Sequence, residues 1–261
     1  MDNAPEFPAN FDGLVALVDR LRGGGGCPWD REQTAESMKR YFLDECYELI
    51  DAIDEADPTK LAEELGDVLF NVAFQLRLAT EAGSLSEEQP FAFAIEKFVR
   101  RHPHVFGEAE VADAGQAWTS WDAIKRGEQA GQDDSILDSV ARSLPALSQA
   151  QLLQERAARV GFDLEDLQGV VDKVGEELAE LERAETPDER EAELGDVLFS
   201  LVNLSRWHNS DAETALRAAD VRFRQRFAQM EILGRERGVD LKSLTLDEKE
   251  ALWQEAKEML A

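Results

Sequence analysis

Glu45 and Glu48 stand three positions apart, and so do Glu64 and Asp67. On a helix that spacing puts both members of a pair on one face. The same order recurs later in the chain as Glu177 and Glu180, then Glu193 and Asp196. Two such helices laid side by side bring four carboxylates into one pocket, where they repel unless a cation sits among them. An all-oxygen set suits Mg²⁺, with Mn²⁺ as a substitute, and not a thiolate-seeking ion. Mg²⁺ keeps waters and completes its shell with substrate phosphates, and a water it polarises is a nucleophile near neutral pH. The chemistry expected of these residues is therefore metal-assisted attack on a phosphate. A single Glu-x-x-Glu in a chain with 55 acidic residues marks only a solvated helix face. Two pairs in order, present twice, carry more weight.

The cations and aromatics that would complete such a site also come in two sets. Lys97 and Arg101 are one helical turn apart, as are Arg222 and Arg226. Each pair can clamp a polyphosphate, against the plainer reading of salt bridges to nearby acids. Trp121 with Lys125, and Trp253 with Lys257, place a flat apolar face one turn from a cation. A base can stack there while the lysine meets a phosphate, although a tryptophan at helical spacing also suits a core. Other carboxylate bundles are excluded. Di-iron bundles use Glu-x-x-His, and none of His102, His104 and His208 has an acid three residues before it. No EF-hand loop occurs.

The elements that must position these side chains read as helices throughout, so an all-α fold is expected. Leu14, Leu17, Val18 and Leu21 repeat at helical spacing until Gly23–Gly26 stops them. A helix carrying Glu45 and Glu48 follows the loop Cys27-Pro28-Trp29-Asp30. Pro58 marks the next turn. A long helix from about Leu61 to Ala82 then carries Leu65, Val68, Leu69, Val72, Ala73 and Leu76 as its apolar stripe. Further helices are expected near Phe91–Arg101 and Ala114–Arg126, and Asp30 and Asp163 as N-caps. Gly66 and Gly195 interrupt helices where glycine costs about 1 kcal/mol against alanine, which close packing or room for a ligand would explain.

The string Glu-Leu-Gly-Asp-Val-Leu-Phe occurs at Glu64–Phe70 and again at Glu193–Phe199. The chain therefore reads as a tandem pair of helical bundles. Residues 1–126 form the first, residues 127–134 a polar glycine-rich linker, and residues 135–261 the second. A net charge of −27 argues against nucleic acid and anionic membranes as partners. No run reaches the roughly 18 apolar residues of a membrane span. Two cysteines, Cys27 and Cys46, give no disulfide framework, so a cytoplasmic location is expected.

Cys27-Pro28-Trp29-Asp30-Arg31-Glu32-Gln33-Thr34, Arg101-His102-Pro103-His104-Val105-Phe106, Arg142-Ser143-Leu144-Pro145-Ala146-Leu147 and the doubled acidic pattern resemble the two-domain MazG nucleoside triphosphate pyrophosphohydrolases over nearly the whole chain. The resemblance implies an all-α homodimer that uses Mg²⁺ to convert ribo- and deoxynucleoside triphosphates to the monophosphate and pyrophosphate. It implies a metal tetrad of Glu177, Glu180, Glu193 and Asp196, with nucleotide contacts from Arg222, Arg226, Trp253 and Lys257. The first-half counterparts are Glu45, Glu48, Glu64, Asp67, Lys97, Arg101, Trp121 and Lys125. Asp44 stands where the second half has Glu176, and Arg222 where members often carry lysine. The second half, with the fuller acidic pattern, is expected to be the active one. Two other readings remain open: a housecleaning enzyme for one modified nucleotide, and an acidic helical docking module without catalysis.

Overall fold

The computed structural model describes residues 7–129 and 135–260, and every regular element among them is a helix. The chain divides into two compact units, Met1–Gly131 and Gln132–Ala261. No helix is long and apolar enough to cross a membrane among the described residues.

In the first unit, α1 (Phe11–Arg22) starts where the Asn10 side chain accepts from the Gly13 N–H, and stops at Gly23. A short α2 (Pro28–Glu32) leads to α3 (Ala35–Glu55). The start of α3 is a reciprocal cap: the Thr34 hydroxyl accepts from the Ser37 N–H, and the Ser37 hydroxyl accepts from the Thr34 N–H. Asp30 is not that cap. It lies within α2, and its carbonyl accepts from Arg22. Ala56 then turns the chain in a left-handed conformation (φ 54°), and Asp57 caps α4 (Pro58–Glu81) through the N–H groups of Thr59 and Lys60. So short a connection makes α3 and α4 antiparallel neighbours, and they pack along their length. The core joins Val15 and Val18 of α1, Met38 of α3, and Ala73, Phe74 and Leu76 of α4.

The apolar stripe expected along α4 therefore splits. Ala73 and Leu76 are buried, whereas Leu65, Leu69 and Val72 stay exposed. Their Cβ positions share a face, but α1 reaches only the C-terminal half of the helix's apolar surface.

After α4 come α5 (Gln89–Arg101), a short α6 (Pro103–Phe106) and α7 (Ala114–Gln129), with α5 against α7. Helix α7 runs three residues into the stretch read from sequence as linker. Gly127, Glu128 and Gln129 are helical because Glu128 bonds Arg100 and Arg101 of α5. The rest of that stretch, 130–134, lies outside the described residues.

The second unit repeats the plan with α8 (Ala146–Ala158), α9 (Leu167–Arg183), α10 (Pro187–Trp207), α11 (Ala212–Glu236), a 3₁₀ turn (Leu241–Ser243) and α12 (Leu246–Met259). Helix α9 pairs with α10 as α3 does with α4, and α11 with α12 as α5 does with α7. Asp166, not Asp163, caps α9. Asp163 instead accepts a two-pronged bond from Arg206, whose guanidinium keeps its carboxyl below the usual range and ties the loop before α9 to the end of α10. The counterpart stripe on α10, Leu194, Leu198 and Leu201, is again exposed.

Candidate active site

In each unit one helical hairpin carries all four carboxylates. Glu45 and Glu48 project from α3, Glu64 and Asp67 from α4; Glu177 and Glu180 project from α9, Glu193 and Asp196 from α10. Glu45, Glu48 and Glu64 each offer an oxygen within 4.8 Å of the others, and so do Glu177, Glu180 and Glu193. Asp67 and Asp196 lie outside those tight groups but close enough to act on their charge. Burial raises the pKa of Glu45, and Asp67, Glu48 and Glu64 raise it further. Burial likewise raises Glu64, with Glu48 and Asp67 adding to it, and raises Glu193, with Glu180 and Asp196 adding. Glu64 Oε2 is buried without a hydrogen-bond partner. An orphaned carboxylate oxygen beside like charges fits a divalent cation, and no sulfur or imidazole joins either group to favour a softer metal.

The second cluster differs in one respect, a lysine that pairs with its carboxylates. Lys173, one turn before Glu177 on α9, places Nζ 2.7 Å from Glu177 and 3.0 Å from Glu176. Glu177 is 7 % exposed, and these bonds hold Lys173 above its ordinary range. The i,i+4 spacing was the signal that would have found it. Beside this cluster an open depression of about 250 Å³ is lined by Glu180, Arg183, Ala184, Glu189 and Glu193.

Neither mid-helix glycine is there for close packing. A Cβ built on Gly66 or Gly195 meets no heavy atom within 4 Å. Both therefore stand before open space on their helices. Gly195→Ala is expected to raise thermal stability by about 1 kcal/mol through helix propensity while lowering turnover. A variant as active as the native chain, measured by steady-state kinetics, would show that no ligand needs that space.

In the first unit the cation and aromatic residues form a second grouping. On α5 and α7, the Arg101 guanidinium lies 5.3 Å from the Trp121 ring centre, and Lys125 Nζ 5.1 Å. Lys97 is on the same helix as Arg101, with Nζ 5.2 Å from Phe98. Trp118 stacks on Trp121 at 5.2 Å. On α11 and α12, Trp253 lies 5.2 Å from Phe223 and packs on the cluster of Met230, Leu233, Leu252 and Ala256. Trp253 is thus half core and half exposed. The side chains of Arg222 and Arg226, midway along α11, make no hydrogen bond or ion pair among the described residues.

Comparison with known proteins gives the chain its family. Residues 33–106, which include α3, α4 and α5, match the MazG nucleotide pyrophosphohydrolase domain. A Thermotoga maritima protein named nucleoside triphosphate pyrophosphohydrolase/pyrophosphatase MazG is 44 % identical over 247 residues, covering 95 % of both chains. An Escherichia coli nucleoside triphosphate pyrophosphohydrolase is 41 % identical over 254 residues, 95 % of this chain and 97 % of the relative. A Mycobacterium tuberculosis protein of the same name is 37 % identical over 154 residues, 57 % of this chain and 45 % of its own. With two such relatives aligned over 95 % of this chain, the chain belongs to the MazG nucleotide pyrophosphohydrolase family.

Proposed function

We propose that this chain is a nucleoside triphosphate pyrophosphohydrolase that cleaves between the α- and β-phosphates, releasing a monophosphate and pyrophosphate, and that the second unit carries the reaction. The observation that supports this most directly is the close convergence of Glu177, Glu180 and Glu193, each offering an oxygen within 4.8 Å of the others. Together with Asp196 they would hold Mg²⁺, with Mn²⁺ as a substitute. Bound there, the ion supplies charge neutralisation for the phosphates and a water acidic enough to attack the α-phosphorus.

The protein's own residues do the rest. Glu177, Glu180, Glu193 and Asp196 fix where the triphosphate's charge is met, and one of them can take the proton of the attacking water. Arg222 and Arg226, one turn apart on α11, neutralise the outer phosphates as planar forks. Lys257 adds a third cation, and Trp253 offers a face to the base. The first unit repeats these parts as Glu45, Glu48, Glu64 and Asp67, with Lys97, Arg101, Trp121 and Lys125.

We infer a homodimer from the bare leucine stripes. Leu65, Leu69 and Val72, and Leu194, Leu198 and Leu201, are 40–48 % exposed at matching positions of the two units. Contiguous apolar surface of this kind marks an interface, and a second copy supplies the complementary face. Free Cys27 and Cys46 fit a reducing cytoplasm.

Product analysis tests the activity. Purified protein with Mg²⁺ and ATP or dCTP is expected to yield the monophosphate and pyrophosphate. Diphosphate with orthophosphate would refute the cleavage position. Failure with every canonical nucleotide, but turnover of a modified one, would favour the housecleaning reading.

Cation binding has its own pH signature. Glu45, Glu64 and Glu193 titrate above their ordinary 4.5 in the folded chain. A raised carboxyl contributes stability below the unfolded pKa and loses it as pH rises through the folded pKa. The metal-free clusters are therefore strained once pH passes above 4.5, and a divalent cation relieves the strain. The increment in melting temperature on adding Mg²⁺ is expected to be larger at pH 7 than at pH 4.5. An increment equal at both would show that Mg²⁺ binds elsewhere.

A further inference from the structure

Arg101, one of the two clamp cations of the first unit, is already occupied. Arg101 Nη2 lies 2.5 Å from Glu128 Oε2, and Arg101 Nε donates to the same oxygen at 3.1 Å. Arg100 joins from the other side, with Nη2 2.8 Å from Oε1. A guanidinium meets phosphate oxygens with the same kind of charge-assisted bond. The side chain of Arg101 is only 13 % exposed, closed over by Glu128 and the Trp121 ring. Bonds from Arg101 and then Arg100 hold the Glu128 carboxyl down to about 2, so it is an anion across the working pH range.

The second unit lacks this anion. Glu128 stands three residues after Lys125, and the residue three after Lys257 is Leu260. Arg100, which shares the load with Arg101, is answered by Gln225. Helices α11 and α12 also carry an arginine–carboxylate bridge, with Arg237 Nη2 2.5 Å from Glu255 Oε1, but it engages neither Arg222 nor Arg226. Both units therefore bridge this helix pair, and what differs is the arginine held: the clamp residue Arg101 in the first unit, and Arg237, outside the clamp, in the second.

We propose that Glu128 is a tethered carboxylate seated in the phosphate place of the first unit's clamp, so that a triphosphate finds an open clamp only in the second unit. The inference rests on the clamp roles assigned above. A polyphosphate and Glu128 compete for Arg101, and the tethered group wins because its effective concentration is high. The duplication then holds one open site and one closed by its own chain, although both carboxylate tetrads are complete.

Binding stoichiometry tests this in the full chain. A non-hydrolysable triphosphate analogue with Mg²⁺ is titrated calorimetrically, and inorganic tripolyphosphate with Mg²⁺ in parallel. The native chain is expected to take one equivalent. Glu128→Leu, which copies Leu260, and Glu128→Gln are expected to take a second. The mirror variant Leu260→Glu, at an exposed helix end, is expected to weaken the open site roughly tenfold, as loss of a charge-assisted fork does. Two equivalents on the native chain would overturn the proposal. So would folded Glu128 variants that gain nothing with either probe, or Glu128 variants that both unfold. Should the native chain hydrolyse no nucleotide while Glu128→Leu gains a tripolyphosphate site, the proposed activity fails and the closed clamp stands.

Discussion

Replacing Glu180 with Gln in the full chain is expected to lower nucleotide hydrolysis by roughly 100-fold or more. The substitution keeps the size of the side chain and removes one oxygen charge from the group formed with Glu177 and Glu193. Even partners one layer behind a metal ligand cost about 10–100-fold when removed, so a group facing the cation directly should cost at least that. The fold should not suffer. Burial and then Glu180 raise the Glu193 pKa, so removing a like charge eases repulsion, and the metal-free melting temperature should hold or rise. Glu182→Gln, on the same helix outside the cluster, should keep native turnover. Steady-state kinetics of the two variants decides the matter. Native kcat/KM in Glu180→Gln would remove catalysis from the second unit.

Leu198→Glu is expected to convert a dimer to monomers. Leu194, Leu198 and Leu201 lie one turn apart along α10 and are 48 %, 48 % and 43 % exposed. A carboxylate placed in the middle of that stripe would be buried unpaired in any interface built on it. An uncompensated buried charge costs about 3–5 kcal/mol, or a dissociation constant weaker by roughly 10²–10⁴. Sedimentation velocity at micromolar concentration should show the native chain at twice the mass of the variant. A native chain that already sediments as a monomer, or a variant that stays dimeric, would mean that the stripe is covered in some other way.

Much of the fold was legible because the chemistry is written locally. Helical spacing placed Glu45 with Glu48 and Glu64 with Asp67, and a short connection at Ala56 and Asp57 made their helices neighbours. Nothing long-range was needed to foresee the carboxylate clusters. Contacts between distant segments were not visible in the same way. The caps went to Thr34 and Asp166 in place of Asp30 and Asp163, because a cap must stand where the backbone turns, and several polar residues competed for that place. Glycine at position 127 reads as a linker by composition, yet Glu128 finds two arginines on α5, and α7 continues through it. The stripe on α4 obeys helical periodicity along its whole length, but periodicity does not say which part a neighbour covers. Lys173 was hidden among many i,i+4 pairs that a chain with 55 acids supplies.

The placement of each carboxylate set on a single hairpin also bears on how the protein is made. Loop-closure entropy is small when the partners are near in sequence, and local contacts form before distant ones. Helices α3 and α4 can therefore meet as soon as both have emerged during synthesis, before the later helices of the unit exist, and α9 and α10 can do the same. A cation available at that moment would bridge the two helices and bias them toward their native pairing. The ligand set would then act first as a folding template and only afterwards as a site for chemistry.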